Sequence, residues 1–392
     1  MQDSGATQKH FCFSSSPPLT NACPMNFKLR TLAALSERKS TISDKSTIIG
    51  FDGFLDRIVT PVALRNGQGD DFIPIQSIAE FGHRILGAAG KSTNIELYPK
   101  LEKIGGNGPL MGSALLAAGA KLKYIGALGA PHPSFVDFAK RSDAVTLCEP
   151  GMTTALEFRD GKLMLGTMTS LDEINYERIV EKIGGEPILI DLFSKADLVA
   201  LVNWTMIPNM TAIFERLTNV IPHHRTSKKQ RYFFDLADPE KRSSSDLRAA
   251  LRAIARFEDI GSVTLGLNLK EAQHLHTLLG FNIETEDANG LKKMAGDIRE
   301  ELRIDTTVIH PRESAACATP RGSFYVPGPL CEKPFTTTGG GDHFNAGFCV
   351  GQLLDLDPEC CLTLAVATSG HYVRTGQSPT LLDLQEMLTS WV

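Results

Sequence analysis

Residues 335–348 read FTTTGGGDHFNAGF, three consecutive glycines running into Asp342. Beyond them Phe344 and Phe348 stand four apart, with Gly351 on about the same face, the spacing of a buried helical stripe. The glycines therefore end where a helix begins. The first amides of a helix have no intrahelical partner, and the helix dipole favours an anion there. Glycines let successive N–H groups converge without a Cβ between them. Gly339, Gly340 and Gly341 thus form a candidate anion hole for a phosphoryl group in transit, and Asp342 at its rim a candidate base for a hydroxyl proton. A glycine-rich turn with an aspartate cap has the same composition, and these residue types alone do not separate the two.

A second pair lies in NLKEA, residues 268–272, where Asn268 and Glu271 stand three apart after an apolar run. In a first helical turn they face the same way. An amide oxygen and a carboxylate are hard ligands suited to magnesium and its waters, and the same N-x-x-E spacing is also that of a capping box.

Together these segments resemble the ribokinase-like (PfkB) carbohydrate kinases, whose C-terminal signature runs D-T-x-G-A-G-D-x-F-x-A-G-F. Thr337, Gly339, Gly341, Asp342, Phe344, Ala346, Gly347 and Phe348 match it. The resemblance implies ATP as phosphoryl donor, Mg2+ held through Asn268 and Glu271, Asp342 as catalytic base, and nucleotide contacts at Asn268, Thr337, Gly339 and Gly341. IIGFDGFLDRI (48–58) resembles the family's first strand and its exit, making Asp56 and Asp52 candidates for sugar hydroxyls. KIGGNGPLM (103–111) resembles the family's N-terminal signature and adds Gly105, Gly106 and Asn107 to the substrate candidates. ATSGHYVRTGQSP (367–379) resembles the segment that flanks adenine, with Ala367, Gly370, His371 and Gly376 as contacts. Three positions depart from the family. Thr336 stands where an aspartate near a monovalent-cation site is common, so a potassium requirement is not implied. Gly340 replaces an alanine, and Leu110 falls close to the place of an expected asparagine, whose polar work passes to Asn107.

Apolar runs of strand length must position these residues. STIIGF (46–51), YIGAL (124–128), LVALVN (198–203), RYFFDL (231–236), VTLGLN (263–268) and TTVIH (306–310) are hydrophobic on both faces, as in a buried parallel sheet. Helical stretches lie between them at 109–120, 243–259 and 270–280. This alternation predicts an α/β, doubly wound, mostly parallel sheet. TTALEFRDGKLMLGTM (153–168) has the Asp160-Gly161 signal of a hairpin. With the poorly helical region 57–100 it predicts a small β-sheet lid, built from insertions at about 57–100 and 150–172, on a kinase domain spanning 46–392. RYFFDLADPEKR (231–242) leaves Asp235 at a strand end, suited equally to a magnesium-water contact or a loop cap. LGAAGKSTN (86–94) looks like a P-loop, but that motif needs glycine where Ile85 stands. It reads as lid or loop.

Bulk properties narrow the class. The chain has 392 residues, 42% hydrophobic and 22% charged, with formal net charge −5. That balance argues against nucleic acid as partner. The most basic stretch, HHRTSKK (223–229), reads as a solvated loop. No run approaches the roughly 18 apolar residues of a membrane span. The eight cysteines form no CxxC pair, the usage of reduced thiols in a cytoplasmic protein. Residues 1–45 read as a disordered leader, polar and Ser/Pro-rich without an apolar signal core, followed by a helix; Met25 is a second candidate start. The expectation is an ATP-dependent kinase of a sugar or sugar-like alcohol, with a homodimer formed through exposed lid strands. A nucleoside kinase of the same fold, or a retired homologue that binds carbohydrate without turnover, remain as alternatives.

Overall fold

The computed structural model describes residues 26–391 except 131, 222–229 and 283. The leader at 1–25 and the basic stretch at 223–229 lie outside the described residues.

Fourteen strands are found among the described residues, in two sheets. In chain order they are β1 (Ser46–Phe51), β2 (Phe54–Arg65), β3 (Phe72–Pro74), β4 (Leu97–Gly105), β5 (Lys121–Gly126), β6 (Val145–Thr146) and β7 (Gly151–Phe158). There follow β8 (Gly161–Thr167), β9 (Leu198–Leu201), β10 (Arg231–Asp235), β11 (Ser262–Asn268), β12 (Thr306–His310), β13 (Ser314–Thr319) and β14 (Gly322–Pro327). The large sheet has the order β14-β13-β12-β11-β10-β9-β1-β5-β6. Pairing is parallel from β6 through β12 and antiparallel for β12–β13 and β13–β14.

Both faces of this sheet are covered, which is why its strands read as unbroken apolar runs. In β10, Tyr232 and Phe234 join one core with Phe193, Trp204, Phe214 and Phe257. Phe233, between them in sequence, joins the opposite core with Leu115, Phe138, Phe344 and Phe348. Successive side chains of a strand point to opposite faces. At about 25 cal/mol per Å² of buried apolar surface, these aromatic layers dominate the cohesion of the fold.

The chain leaves β1 in the middle of the sheet and returns to either side of it, at β5 and at β9. Connections therefore diverge at the C-terminal end of β1, where open α/β sheets keep their ligand sites. The smaller sheet stands beside that edge in the order β3-β2-β7-β8, with β4 on β2. The expected hairpin forms as β7 and β8, with Phe158 opposite Gly161. The region 57–100 is not free of helix: Ile78–Leu86 is helical, opened by Ser77, whose side chain accepts from the Glu80 amide. That helix packs Phe81 against Val59, Ile75 and Leu156 of the lid. The P-loop look-alike follows this helix as exposed turns.

Candidate active site

Polar residues end successive strands of the large sheet on one edge. Asp52 follows β1, Asn203 follows β9, Asp235 ends β10, Asn268 ends β11 and His310 ends β12. The helix Gly340–Leu353 starts above this edge, with Gly339 as its N-cap at φ +93, a conformation that side chains with a Cβ rarely adopt. Asp342 lies in its first turn and is 8% exposed.

Asp342 Oδ1 accepts a 2.8 Å hydrogen bond from the Asn107 side-chain amide. Burial drives its carboxyl well above the usual carboxylate range. The charges of Asp235 and Asp52 push the same way, and the Asn107 bond pulls back.

Asp52 is fully buried and takes a structural post. Its Oδ2 accepts from the Asn107 backbone at 2.8 Å and from Asn203 Nδ2 at 2.7 Å, and its Oδ1 from the Gly108 backbone at 2.8 Å. The carboxylate thereby caps the helix Asn107–Ala118. Burial raises its pKa to about 6 against these bonds. Gly106 precedes that helix at φ +94. Of the two aspartates expected to grip sugar, this one is engaged by protein donors on both oxygens.

Asp56 projects from β2, opposite Lys103 of β4 and Thr153 of β7. Burial raises its pKa, offset by Lys103, Thr153 and Lys162. Its carboxylate lies over Gly105, where a Cβ would sit 2.4 Å from Asp56 Oδ1. Leu110 fills the space beside the glycine turn, and a Cβ on Gly339 would come within 3.1 Å of its Cδ1.

Asn268 and Glu271 form the capping box. Asn268 Oδ1 accepts from the Glu271 amide at 3.0 Å, and Glu271 Oε2 from the Asn268 amide at 2.9 Å. The other Glu271 oxygen accepts from the Asp238 amide at 2.8 Å. Among the described residues no preformed cluster of metal-ligating side chains is found. Next to this box, Asp235 Oδ2 accepts from Asn345 Nδ2 at 2.8 Å, while its Oδ1 is buried without a partner. Burial, then the charge of Glu271, raises the Asp235 pKa.

A cavity of about 340 Å³ adjoins the glycine turn, within the range of small-molecule sites. Thr337, Gly340 and Gly341 line one end. Val366, Ser369, Gly370 and Val373 line a wall from the helix Pro358–Thr375. Their 3-1-3 spacing is one helical face, and it includes Gly370 alone of the four expected adenine contacts. Ala367 is fully buried in the core. His371 lies within charge reach of His343 and Asp383, and Gly376 caps the helix end at φ +73. The other three expected contacts lie off this stripe.

Two residues of this region were not among those expected from the sequence, His310 and Lys162. The His310 ring packs on Phe344, centroids 4.5 Å apart, and burial lowers its pKa to about 4. Lys162, on the lid hairpin, reaches Thr338 Oγ1 at 3.5 Å. It lines a lid cavity with Lys100, Glu157 and Arg159 that meets the first cavity at Thr337. A lone histidine at a strand end and a hairpin lysine carry no local signal.

Comparison with known proteins identifies the family and the fold. The family model for prokaryotic ketohexokinase matches residues 30–391. A ketohexokinase from Haloferax volcanii is 28% identical over 348 residues, covering 88% of this chain and 91% of its own. Among solved structures, Arabidopsis thaliana ribokinase complexed with ribose and ATP superposes with TM-score 0.62 at 14% identity. The nucleoside kinase of Methanocaldococcus jannaschii gives 0.60 at 15%. Each covers 88% of this chain and 98% of its own length. The chain is a carbohydrate kinase of ribokinase-like fold and belongs to the prokaryotic ketohexokinase family.

Proposed function

We propose that the protein phosphorylates a hydroxyl of a ketohexose with ATP, using Asp342 as general base and the amides around Gly339–Gly341 as anion hole. One observation carries the reading. Two helices with glycine at their N-caps start at the same sheet edge, and only one is capped from within. Asp52 takes the amides of Asn107 and Gly108. The amides of Gly339 and Gly341 have no internal acceptor among the described residues. Unfilled donors beside a buried carboxylate and a nucleotide-sized cavity suit a migrating phosphoryl group.

In the reaction, the alcohol proton passes to an Asp342 oxygen as the alcohol oxygen bonds to the γ-phosphorus. The bond from that phosphorus to the β,γ-bridging oxygen breaks, and ADP leaves with the electron pair. The high Asp342 pKa makes its ionised form a stronger proton acceptor. Asn107 holds the carboxylate in place and favours the ionised state. Asp56, Gly105, Gly106 and Asn107 are the sugar-side residues of this reading, with Leu110 an apolar wall.

Magnesium fits the residues present, since Asp235 Oδ1 is a buried hard oxygen without a partner. Asp235, with Asn268 and Glu271 beside it, would hold the ion or its waters, and the ion would supply charge neutralisation for the triphosphate. The reading keeps the expected pairing of two copies through the lid, whose strands expose Leu64, Ile73, Leu97, Leu101 and Leu165. Sedimentation velocity checks this, and a single monomeric boundary at micromolar concentration removes it.

The test is ADP release from ATP over ketohexoses, aldohexoses, pentoses, sugar acids and nucleosides. Turnover preferring ketohexoses is expected. Turnover on nucleosides alone, or on nothing, overturns the assignment.

A further inference from the structure

The glycine turn is gripped from behind by three side chains. His343 is 1% exposed, and its Nδ1 lies 2.7 Å from the Gly339 carbonyl oxygen. A carbonyl only accepts, so Nδ1 carries the proton of the neutral ring. Nε2 is then the acceptor, and Ser378 Oγ donates to it at 2.8 Å. The Tyr372 ring stacks on the imidazole, centroids 3.5 Å apart and planes 11° from parallel. Its hydroxyl donates to the Thr338 carbonyl at 3.2 Å. Two successive turn carbonyls are thus held by side chains from two helices and the segment after them.

The peptide group is planar and trans, so the C=O of one residue and the N–H of the next point in opposite directions. Holding the Thr338 carbonyl toward Tyr372 fixes where the Gly339 N–H points. Holding the Gly339 carbonyl toward His343 fixes the Gly340 peptide plane, whose N–H donates to the Thr337 carbonyl at 3.3 Å and which lies between the unfilled amides of Gly339 and Gly341. Glycine has no Cβ to restrict these planes, so their orientation comes from hydrogen bonds: the local ones from Gly340 N–H to Thr337 and from His343 N–H to Gly339, and the side-chain ones from His343 and Tyr372. A Cβ on Gly339 would lie 3.0 Å from the Tyr372 hydroxyl, showing how closely the ring lies against it. Burial lowers the His343 pKa to about 4, so one tautomer persists across the neutral range.

We propose that Tyr372, His343 and Ser378 are positioning residues for the anion hole, Tyr372 aiming the Gly339 amide and His343, braced by Ser378, holding the Gly340 peptide between the two unfilled amides. The inference rests on the anion-hole reading above. It assigns the histidine after the base a role in the transition state without contact to substrate. An anion hole displaced by about 1 Å loses about 10²-fold in rate.

The experiment compares Tyr372→Phe, His343→Leu and His343→Asn with the wild type by steady-state kinetics and thermal melting. Tyr372→Phe keeps the stacked ring and loses the hydroxyl. His343→Asn keeps a donor for the Gly339 carbonyl; His343→Leu does not. Expected are a fall in kcat of about 10- to 100-fold for Tyr372→Phe and His343→Leu, sugar KM within about threefold, and His343→Asn recovering most of the loss. Wild-type kcat in Tyr372→Phe and His343→Leu overturns the clamp, as does a loss that follows melting temperature or that His343→Asn fails to recover. Gly341→Val is measured alongside. If it too has undiminished activity, the anion hole itself is wrong; if it is impaired while the clamp variants are normal, only the clamp falls.

Discussion

The side-chain amide of Asn107 lies 2.8 Å from Asp342 Oδ1, joining residues separated by 235 positions. This bond ties the start of one glycine-capped helix to the first turn of the other. It also sets the acidic limit of the proposed reaction. The Asp342 pKa is raised in the fold, so the base is ionised only above that value, and kcat/KM falls as pH drops through it. Asn107→Ala removes a donor that favours the ionised form. A hydrogen bond to a charged group contributes about 1.5–3 kcal/mol, so the acidic limb should move to higher pH by about one to two units. A pH–rate profile measures this, and an unmoved limb separates Asn107 from the base.

Asp342→Asn should lower kcat by about 10²–10⁴-fold, the usual contribution of a positioned base, with ATP affinity by calorimetry largely kept. Wild-type turnover removes Asp342 from the chemistry.

Gly341→Val acts on the nucleotide side. A Cβ there lies 3.3 Å from His310 Cε1, at the edge of the cavity that both residues line. Overpacking by such methyl groups costs about 1–3 kcal/mol, so the KM for ATP should rise about tenfold or more. Sugar KM should change far less, and an unchanged ATP KM places the triphosphate elsewhere.

Asp52→Ala should act on stability first. It strands the Asn107 and Gly108 amides and the Asn203 side chain in a dry interior. Leaving buried groups unpaired costs about 1–3 kcal/mol each, so with three groups stranded urea unfolding should show a loss of at least about 3 kcal/mol. A loss of sugar binding at unchanged stability would return Asp52 to the list of substrate contacts.

Much of this site was legible in the sequence where local chemistry decides. β1 and β12 coincide with the expected runs, and β10 and β11 differ by one residue, because strands buried on both faces are apolar throughout. β5 begins earlier than expected, since Lys121 and Lys123 break the apolar run at its start. β13, SAACAT, passed unnoticed because small residues carry weak strand preference, and β14, GSFYVP, passed unnoticed although Phe324, Tyr325 and Val326 favour strands. The glycine turn and its aspartate stood out because glycine triplets are rarely placed before a helix without cause. Tertiary pairings gave no such signal. Nothing near Asp52 says that it will cap a helix more than fifty residues away, and nothing near Asn268 separates a metal ligand from a capping box. The expected adenine contacts and the cavity lining differ by a rotation about a helix axis, from the stripe of Ala367 to that of Val366, with Gly370 shared. Composition alone does not fix which face of an all-apolar helix turns toward a cavity.

Because β1 lies between β5 and β9 while Asp342 arrives only after β14, a nascent chain on the ribosome contains both partners of the Asp52–Asn107 junction long before Asp342 is made. At about 5–20 residues per second, roughly 10–50 s of translation separate Asn107 from its partner. During that interval the emerging polypeptide carries the proposed sugar-side residues and lacks both the proposed base and the proposed anion hole. On the proposed reading, a stalled or prematurely ended copy of this kind would not consume nucleotide.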